Sequence, residues 1–333
     1  MSRKYYLSEH RKRNAKSIKK AARKRKNGNK VALAVILGLI VVSAAVAVSV
    51  FVDWDDIYVS LGLKKNVYVF DEKNDESVYV HFIDVGQGDC QLIVTPEYSV
   101  MIDCGEKTEA EKVADYLKQL GVKKLDYIIV SHPHADHMGA MSLIIDEFKP
   151  DALIMPRIKD ELVPTTASFV RMLDAIERNS VGASYAEAGR VVELDVCVLE
   201  ILSPVSDYDD LNNYSVAVRL VHGDNAFLFT GDIEGEAEDD ILDSGVVLKA
   251  DVLKVAHHGS ATSSKKKFLN AVGGSYAVIG VGSPNGYNHP SEKTLGRLAG
   301  LGYEVYRTDT SGNIVFESGA KGIKVFAERR AAA

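Results

Sequence analysis

Ser131-His132-Pro133-His134-Ala135-Asp136-His137 follows directly on the apolar run Tyr127-Ile128-Ile129-Val130. The run has the composition of a buried strand. The stretch after it packs three histidines and an aspartate into six residues. Imidazole and carboxylate are ligands for zinc, manganese or iron. Strand ends that open into loops are where α/β proteins keep their chemistry. His132 and His134, two apart, can point at one metal ion. Asp136 and His137 come from the next turn and can hold a second. A polar loop that is merely His-rich accounts poorly for such density at a strand end.

Other strand ends carry similar residues. Val78–Ile83 reads as a strand ending in Asp84-Val85-Gly86-Gln87-Gly88-Asp89, whose glycines permit a tight turn. Cys90–Thr95 and Tyr98–Asp103 read as a hairpin, and Asp103 closes its strand just before Gly105. Lys107–Leu120 has helical spacing at Val113, Leu117 and Leu120, with Gly121 suited to its stop. Helices are expected over Met138–Phe148 and Ala167–Glu177, with an acidic one over Ile233–Leu242. Strands are expected at Ala152–Met155, within Ala183–Leu202, and at Val216–Val221. Ala226–Thr230 is a strand ending at Gly231-Asp232, and Asp251–Ala256 ends at His257-His258-Gly259-Ser260. Ser275–Val281 leads into Pro284-Asn285-Gly286-Tyr287-Asn288-His289-Pro290, and Pro290 can start a helix over Ser291–Leu301. Tyr303–Arg307, Asn313–Phe316 and Ile323–Phe326 complete the sheets. Histidines 132, 134, 137, 257, 258 and 289 all lie in these motifs. His10, His81 and His222 fall outside every one.

The net charge of −6 hides a split. Residues 1–30 hold thirteen Lys/Arg and one acid, Glu9, which leaves 27 basic and 45 acidic residues beyond them. The first segment is therefore +12 and the remainder −18. Val31 to Val52 is 22 residues without a charge. As a helix it would extend about 33 Å, enough to cross a bilayer. Its basic N-terminal flank and the acids Asp53, Asp55 and Asp56 beyond it orient the N-terminus to the cytoplasm. Residues 1–30 then form a basic cytoplasmic tail, 31–52 a transmembrane anchor, 53–76 a linker, and 77–327 an extracytoplasmic body. Ala45-Val46-Ala47 is an alternative signal-peptidase site, but the long basic region and long apolar run favour a retained anchor. Three cysteines cannot all pair within one chain. They read as small buried thiols, with a Cys90–Cys104 disulfide as the lesser alternative.

The spacing His-x-His-x-Asp-His after a strand and before Gly139 resembles the metallo-β-lactamase superfamily. That resemblance implies an α/β fold, a four-layer αββα sandwich with a two-metal site along one edge of the paired sheets. It also implies that Asp103 supports the metal loop without binding metal. Asp-Val-Gly-Gln-Gly-Asp (84–89), Phe-Thr-Gly-Asp (229–232), Leu-Lys-Val-Ala-His-His-Gly-Ser (253–260) and Asn-x-Tyr-x-His-Pro (285–290) narrow it. Together they resemble the hydrolase domain of the ComEC family of competence proteins, over about residues 78–326. A single expected span sets this chain apart from a many-span DNA-uptake channel. The third-histidine motif of the wider superfamily is also missing, and Asn212 and Asn213 occupy its neighbourhood.

By this resemblance His132 and His134 hold the first of two divalent ions, zinc or manganese. Asp136, His137 and one of His257 and His258 hold the second, with Asp232 between both. Asp136 and His289 are the expected catalytic residues, His289 as proton donor or phosphate contact. Asn213, Ser215 and Asn285 are candidate substrate contacts. The implied activity is a membrane-anchored phosphodiesterase or nuclease acting on DNA, and no nucleotide cofactor is implied. A body of −18 argues against tight DNA binding, unless Arg219 and Lys265-Lys266-Lys267 form a local basic strip. The alternatives are a phosphodiesterase on teichoic acid or another envelope phosphoester, and a non-enzymatic tethered binding module.

Overall fold

A computed structural model describes residues 76–329. The expected tail and anchor, and nearly all of the expected linker, lie outside the described residues. Among the described residues no helix is long and apolar enough to cross a membrane.

The strands in chain order are β1 (Val78–Phe82), β2 (Gln91–Val94), β3 (Ser99–Ile102), β4 (Tyr127–Ile129) and β5 (Ala152–Met155). Then come β6 (Gly182–Tyr185), β7 (Val191–Glu193), β8 (Val198–Ile201), β9 (Val218–His222) and β10 (Asn225–Phe229). The last are β11 (Val252–Lys254), β12 (Tyr276–Ile279), β13 (Glu304–Arg307), β14 (Ile314–Gly319) and β15 (Gly322–Ala327). They form an eight-stranded sheet ordered β15-β14-β1-β2-β3-β4-β5-β6 and a seven-stranded sheet ordered β13-β12-β11-β10-β9-β8-β7. The helices are α1 (Ala110–Gln119), α2 (Ala135–Met138), α3 (Met141–Phe148), α4 (Ala167–Asn179), α5 (Gly235–Asp243), α6 (Lys266–Val272), α7 (Glu292–Gly300) and α8 (Thr308–Ser311).

Period-two alternation explains the layering. In β1, Val78, Val80 and Phe82 point between the sheets, and in β10 Phe227 and Phe229 meet them. The rings of Phe82 and Phe229 stack with centroids 6.0 Å apart. Truncating such a ring to Ala costs about 3–5 kcal/mol. The opposite faces also carry apolar residues. Leu92, Met101, Ile128 and Leu153 pack under α1, α3 and α4, and Leu228, Leu253 and Ala277 under α5, α6 and α7. A sheet buried on both faces needs helices on its outside, which produces the expected αββα sandwich.

Each sheet is antiparallel in one half and parallel in the other. β3, β4, β5 and β6 run parallel, as do β10, β11, β12 and β13. The loops that leave β3, β4, β10, β11 and β12 meet at one edge.

Several boundaries differ from the sequence reading for identifiable reasons. The single helix expected over Met138–Phe148 is two helices, α2 and α3. The His137 carbonyl accepts from Cys104 N at 2.7 Å, so it leaves the helical ladder. A Cβ at Gly139 would fall 2.4 Å from Ala135 O, so the chain passes there only as glycine. Pro290 does not open α7. Ser291 caps that helix, its side chain accepting from Thr294 N at 3.2 Å. All three cysteines are buried free thiols, which rules out the Cys90–Cys104 disulfide.

His81 lies in β1, fully buried, with Nδ1 2.9 Å from Tyr116 Oη. Burial disfavours its imidazolium and lowers its pKa from 6.5 to about 3. Between those values the unfolded chain binds a proton that the native chain does not. The contribution is intact above pH 6.5 and is lost as pH falls. Urea unfolding of the purified chain should therefore lose up to about 1.4 kcal/mol per pH unit below 6.5 from this residue. The slope should be shallower by that amount in H81Q. Identical slopes would show that His81 is not held neutral.

Candidate metal centre

Asp103, at the end of β3, organises the centre. Its backbone is left-handed (φ 55°), a conformation that Asp tolerates better than most residues. Its carboxylate accepts from Ser131 N at 2.8 Å, Ser131 Oγ at 2.6 Å and His137 Nδ1 at 2.8 Å. With Nδ1 so engaged, His137 turns Nε2 away from Asp103, toward Asp232 Oδ2 at 3.3 Å. A ligating imidazole needs that arrangement, its second nitrogen fixed by a carboxylate. Glycine makes the approach possible from the other sheet. Gly231 has φ 49°, and a Cβ there would lie 2.8 Å from Ser131 Cβ and 2.9 Å from Ser215 Cβ.

The donor atoms then converge. His132 Nε2 and His134 Nδ1 are 2.9 Å apart. Asp136 Oδ2 is 3.2 Å from His258 Nε2 and 3.9 Å from His137 Nε2. Asp232 Oδ2 is 3.4 Å from His258 Nε2. His137 Nε2 and Asp232 Oδ1 are buried without a hydrogen-bond partner. Orphaned donors of this kind, facing one another at the base of a pocket, fit divalent ions.

The structure separates the two adjacent histidines. Both are left-handed (φ 51° and 52°), so their rings diverge. His258 is buried, with Nδ1 2.8 Å from Gly280 O and Nε2 presented to Asp136 and Asp232. His257 stands at the rim, its Nδ1 3.1 Å from Glu234 Oε1 and its Nε2 3.9 Å from Asp232 Oδ2. His289 lines the same cavity, of about 520 Å³. Its ring lies 5.5 Å from that of His257 and is near-parallel to Tyr287 at 5.8 Å. Its Nδ1 is buried and unpartnered.

The three candidate substrate contacts need correction. Asn213 spends its amide on Asp210 (2.6 Å) and Glu234 N (2.8 Å). Asn212, not Asn213, lines the cavity. Ser215 is buried, accepting from Asp232 N at 3.0 Å and lying 3.3 Å from His132 Nδ1; it positions two of the clustered residues. Asn285 ties its own loop together, donating to Gly282 O (2.7 Å) and His289 O (2.8 Å). The basic strip is also revised. Arg219 pairs with Glu200 at 2.8 Å, Lys265 with Asp239 at 3.1 Å and Lys267 with Asp243 at 3.7 Å.

Asp89 and Lys254 were missing from the expected site. Both are about 1% exposed, and their side chains form an ion pair beneath the cluster. Asp89, His137, Asp232 and His258 could together hold an ion by proximity alone. However, Asp89 faces the Nδ1 atoms of His258 (3.5 Å) and His137 (3.9 Å), not their Nε2 atoms. It therefore supports the two rings from behind, and Asp136 takes the place beside Asp232. A lysine inside the buried strand Asp251–Ala256 was the available sequence signal, because a buried cation requires a partner.

The electrostatics follow from burial among carboxylates. Burial opposes charge on His137, but Asp232 and Asp103 override it and hold the ring well above its usual pKa. Burial likewise opposes charge on His258, and Asp232 and Asp89 carry it up to about 10. Asp232 is pushed up by burial, yet His258 and His137 bring it well below the carboxylate range. His132 is the exception: burial, then His137, lower it well below 6.5. Buried Asp136 and Asp232 thus demand positive charge in their midst. Protonated rings supply it here, and divalent ions meet the same demand.

Residues 83–282 match the metallo-β-lactamase superfamily. ComE operon protein 3 of Bacillus subtilis is 31% identical over 261 residues, covering 71% of this chain and 32% of that protein. Competence protein ComA of Neisseria gonorrhoeae is 31% identical over 245 residues, covering 72% and 32%. The match thus spans about a third of these relatives. CmlA, a diiron β-hydroxylase from Streptomyces venezuelae, shares the fold at a TM-score of 0.50 and 11% identity, over 77% of this chain and 55% of that one. Motif, sandwich and converging donors agree with these matches: the chain belongs to the metallo-β-lactamase superfamily, with competence proteins among its relatives.

Proposed function

We propose that this chain is a metal-dependent phosphodiesterase acting on DNA, anchored in the membrane with its body outside the cytoplasm. The observation that carries the enzymatic reading is the buried donor set at the base of an open cavity. The competence-named relatives favour DNA. His132 and His134 would hold one ion, Asp136, His137 and His258 the other, and Asp232 would serve both; zinc and manganese suit these donors. Two such ions lower the pKa of a shared water and clamp both oxygens of a displacement.

The chain's own residues divide the remaining work. Asp103 and Asp89 fix the rings of His137 and His258, and Ser215 fixes His132 and Asp232. Asp136 is both ligand and the carboxylate nearest the open cavity. His289, with Nδ1 free at the cavity wall, donates the proton that the leaving oxygen requires. His257, aligned by Glu234, stands beside it to contact the phosphate.

H258A should lose one of two ions per chain by elemental analysis, whereas H257A should keep both. H289A should also keep both, yet lose about 10²–10⁴ in turnover of a phosphodiester. Metal loss in H289A would make it a ligand. No metal in the wild type, with no turnover, would favour the tethered binding module.

The anchor rests on the charge asymmetry around 31–52. Protease added to cells stripped of wall should digest the body and leave a membrane-bound N-terminal fragment. A soluble product beginning near Val48 would show that the segment is a cleaved signal.

A further inference from the structure

The three consecutive lysines after the His257-His258 loop do not act together. Lys265 and Lys267 turn toward α5, where Asp239 and Asp243 neutralise them. Lys266, between them, lines a different feature, a groove of about 410 Å³ between α6 and α7. Lys293 and Arg297 line it as well, and no carboxylate does. Gly296 and Gly300 leave the α7 side without side chains. Arg297 is fixed in place, donating to the carbonyls of Ser263 (2.7 Å), Ser264 (3.0 Å) and Ala261 (3.1 Å). Those acceptors are neutral, so its charge remains available to the groove. Glu238 lies behind the same loop, buried and bound by the amides of Ser264 and Lys265. Burial pushes its pKa up to about 7, which weakens it as a counter-charge.

A body with 18 more acids than bases keeps this groove free of acids, and the groove adjoins the metal centre. Lys266 opens the helix that follows the His257-His258 loop, and Lys293 sits four residues after His289. Tyr287 stands between cavity and solvent. It is 68% exposed, lines the cavity, and is held near-parallel to the His289 ring. An exposed aromatic face beside a phosphate-cleaving centre offers a stacking surface for a base. A duplex keeps its bases stacked on one another, so only an unpaired base can use it.

We infer that the substrate is a single DNA strand, one base stacked on Tyr287 and the adjoining phosphates in the Lys266–Lys293–Arg297 groove. This rests on the phosphodiesterase reading and specifies its substrate. It also explains how an acidic body engages a polyanion, through few contacts on one short track.

The test uses the full-length protein and a fluorescent oligothymidylate, with bis(p-nitrophenyl) phosphate as the small ester. K266E/K293E should weaken oligonucleotide binding at least tenfold. It should lower the slope of log affinity against log salt by about 1.4, for two contacts at about 0.7 each on a single strand. Hydrolysis of the small ester should stay within about twofold of wild type. Glutamate in the first turn of a helix is favourable, so the fold is not at risk, and K266Q/K293Q should show the same trend. Y287A should weaken single-strand binding and leave duplex binding unchanged. If the wild type binds and cleaves the oligonucleotide and K266E/K293E matches it, the groove assignment is wrong while the nuclease reading stands. If duplex competes equally with single strand, the role of Tyr287 is wrong. If the wild type cleaves the small ester but binds a glycerol-phosphate polymer and no oligonucleotide, the DNA reading falls and the inference with it.

Discussion

One buried carboxylate ties the two halves of this centre together. Asp103 takes three hydrogen bonds, from the amide and hydroxyl of Ser131 and from the His137 ring. The first two fix where the chain leaves β4. The third fixes which face His137 shows to the cavity. Burial raises the pKa of Asp103, and the bonds from His137 and Ser131 offset only part of that cost. The left-handed backbone at Asp103 adds strain of order 1–3 kcal/mol. The surrounding sandwich supports both costs, because β3 and β4 are buried on both faces.

From that constraint the rest follows in layers. Asp89 and Lys254 form a neutral pair beneath His137 and His258, and Asp89 braces both rings. Removing one member would leave an uncompensated buried charge, at about 3–5 kcal/mol. Above this layer lie Asp136 and Asp232, whose negative charge has no fixed cation of its own. Below the cavity, then, charge is balanced by the protein; within it, balance is left to protons or metal. That division separates scaffold from reactive site.

Much of this was legible in the sequence. The strand-end motifs at 131–137, 229–232 and 253–260 located all the clustered histidines and Asp232, because a dense run of ligand-type residues after an apolar strand is hard to account for except as a metal site. The sandwich was legible too, through alternating apolar strands. What remained hidden depended on side-chain direction. Spacing could not distinguish His257 from His258, since their consecutive left-handed backbones decide which ring turns inward. Nor could it show that Asn213, Ser215 and Asn285 spend their polar atoms on neighbouring loops. The run Lys265-Lys266-Lys267 looked uniform, but the acids of α5, distant in sequence, claim its two outer members and leave only Lys266 to the groove.

The central claim is that Asp232 stands between two ions whose other donors are divided as the geometry divides them. Diffraction from crystals loaded with Mn²⁺, recorded at the manganese absorption edge, tests it directly. Two anomalous peaks should flank Asp232, separated by about 3.5–4 Å, one beside His132 and His134 and the other beside Asp136, His137 and His258. A single peak, or a peak on the Asp89 side of His137 and His258, would contradict it.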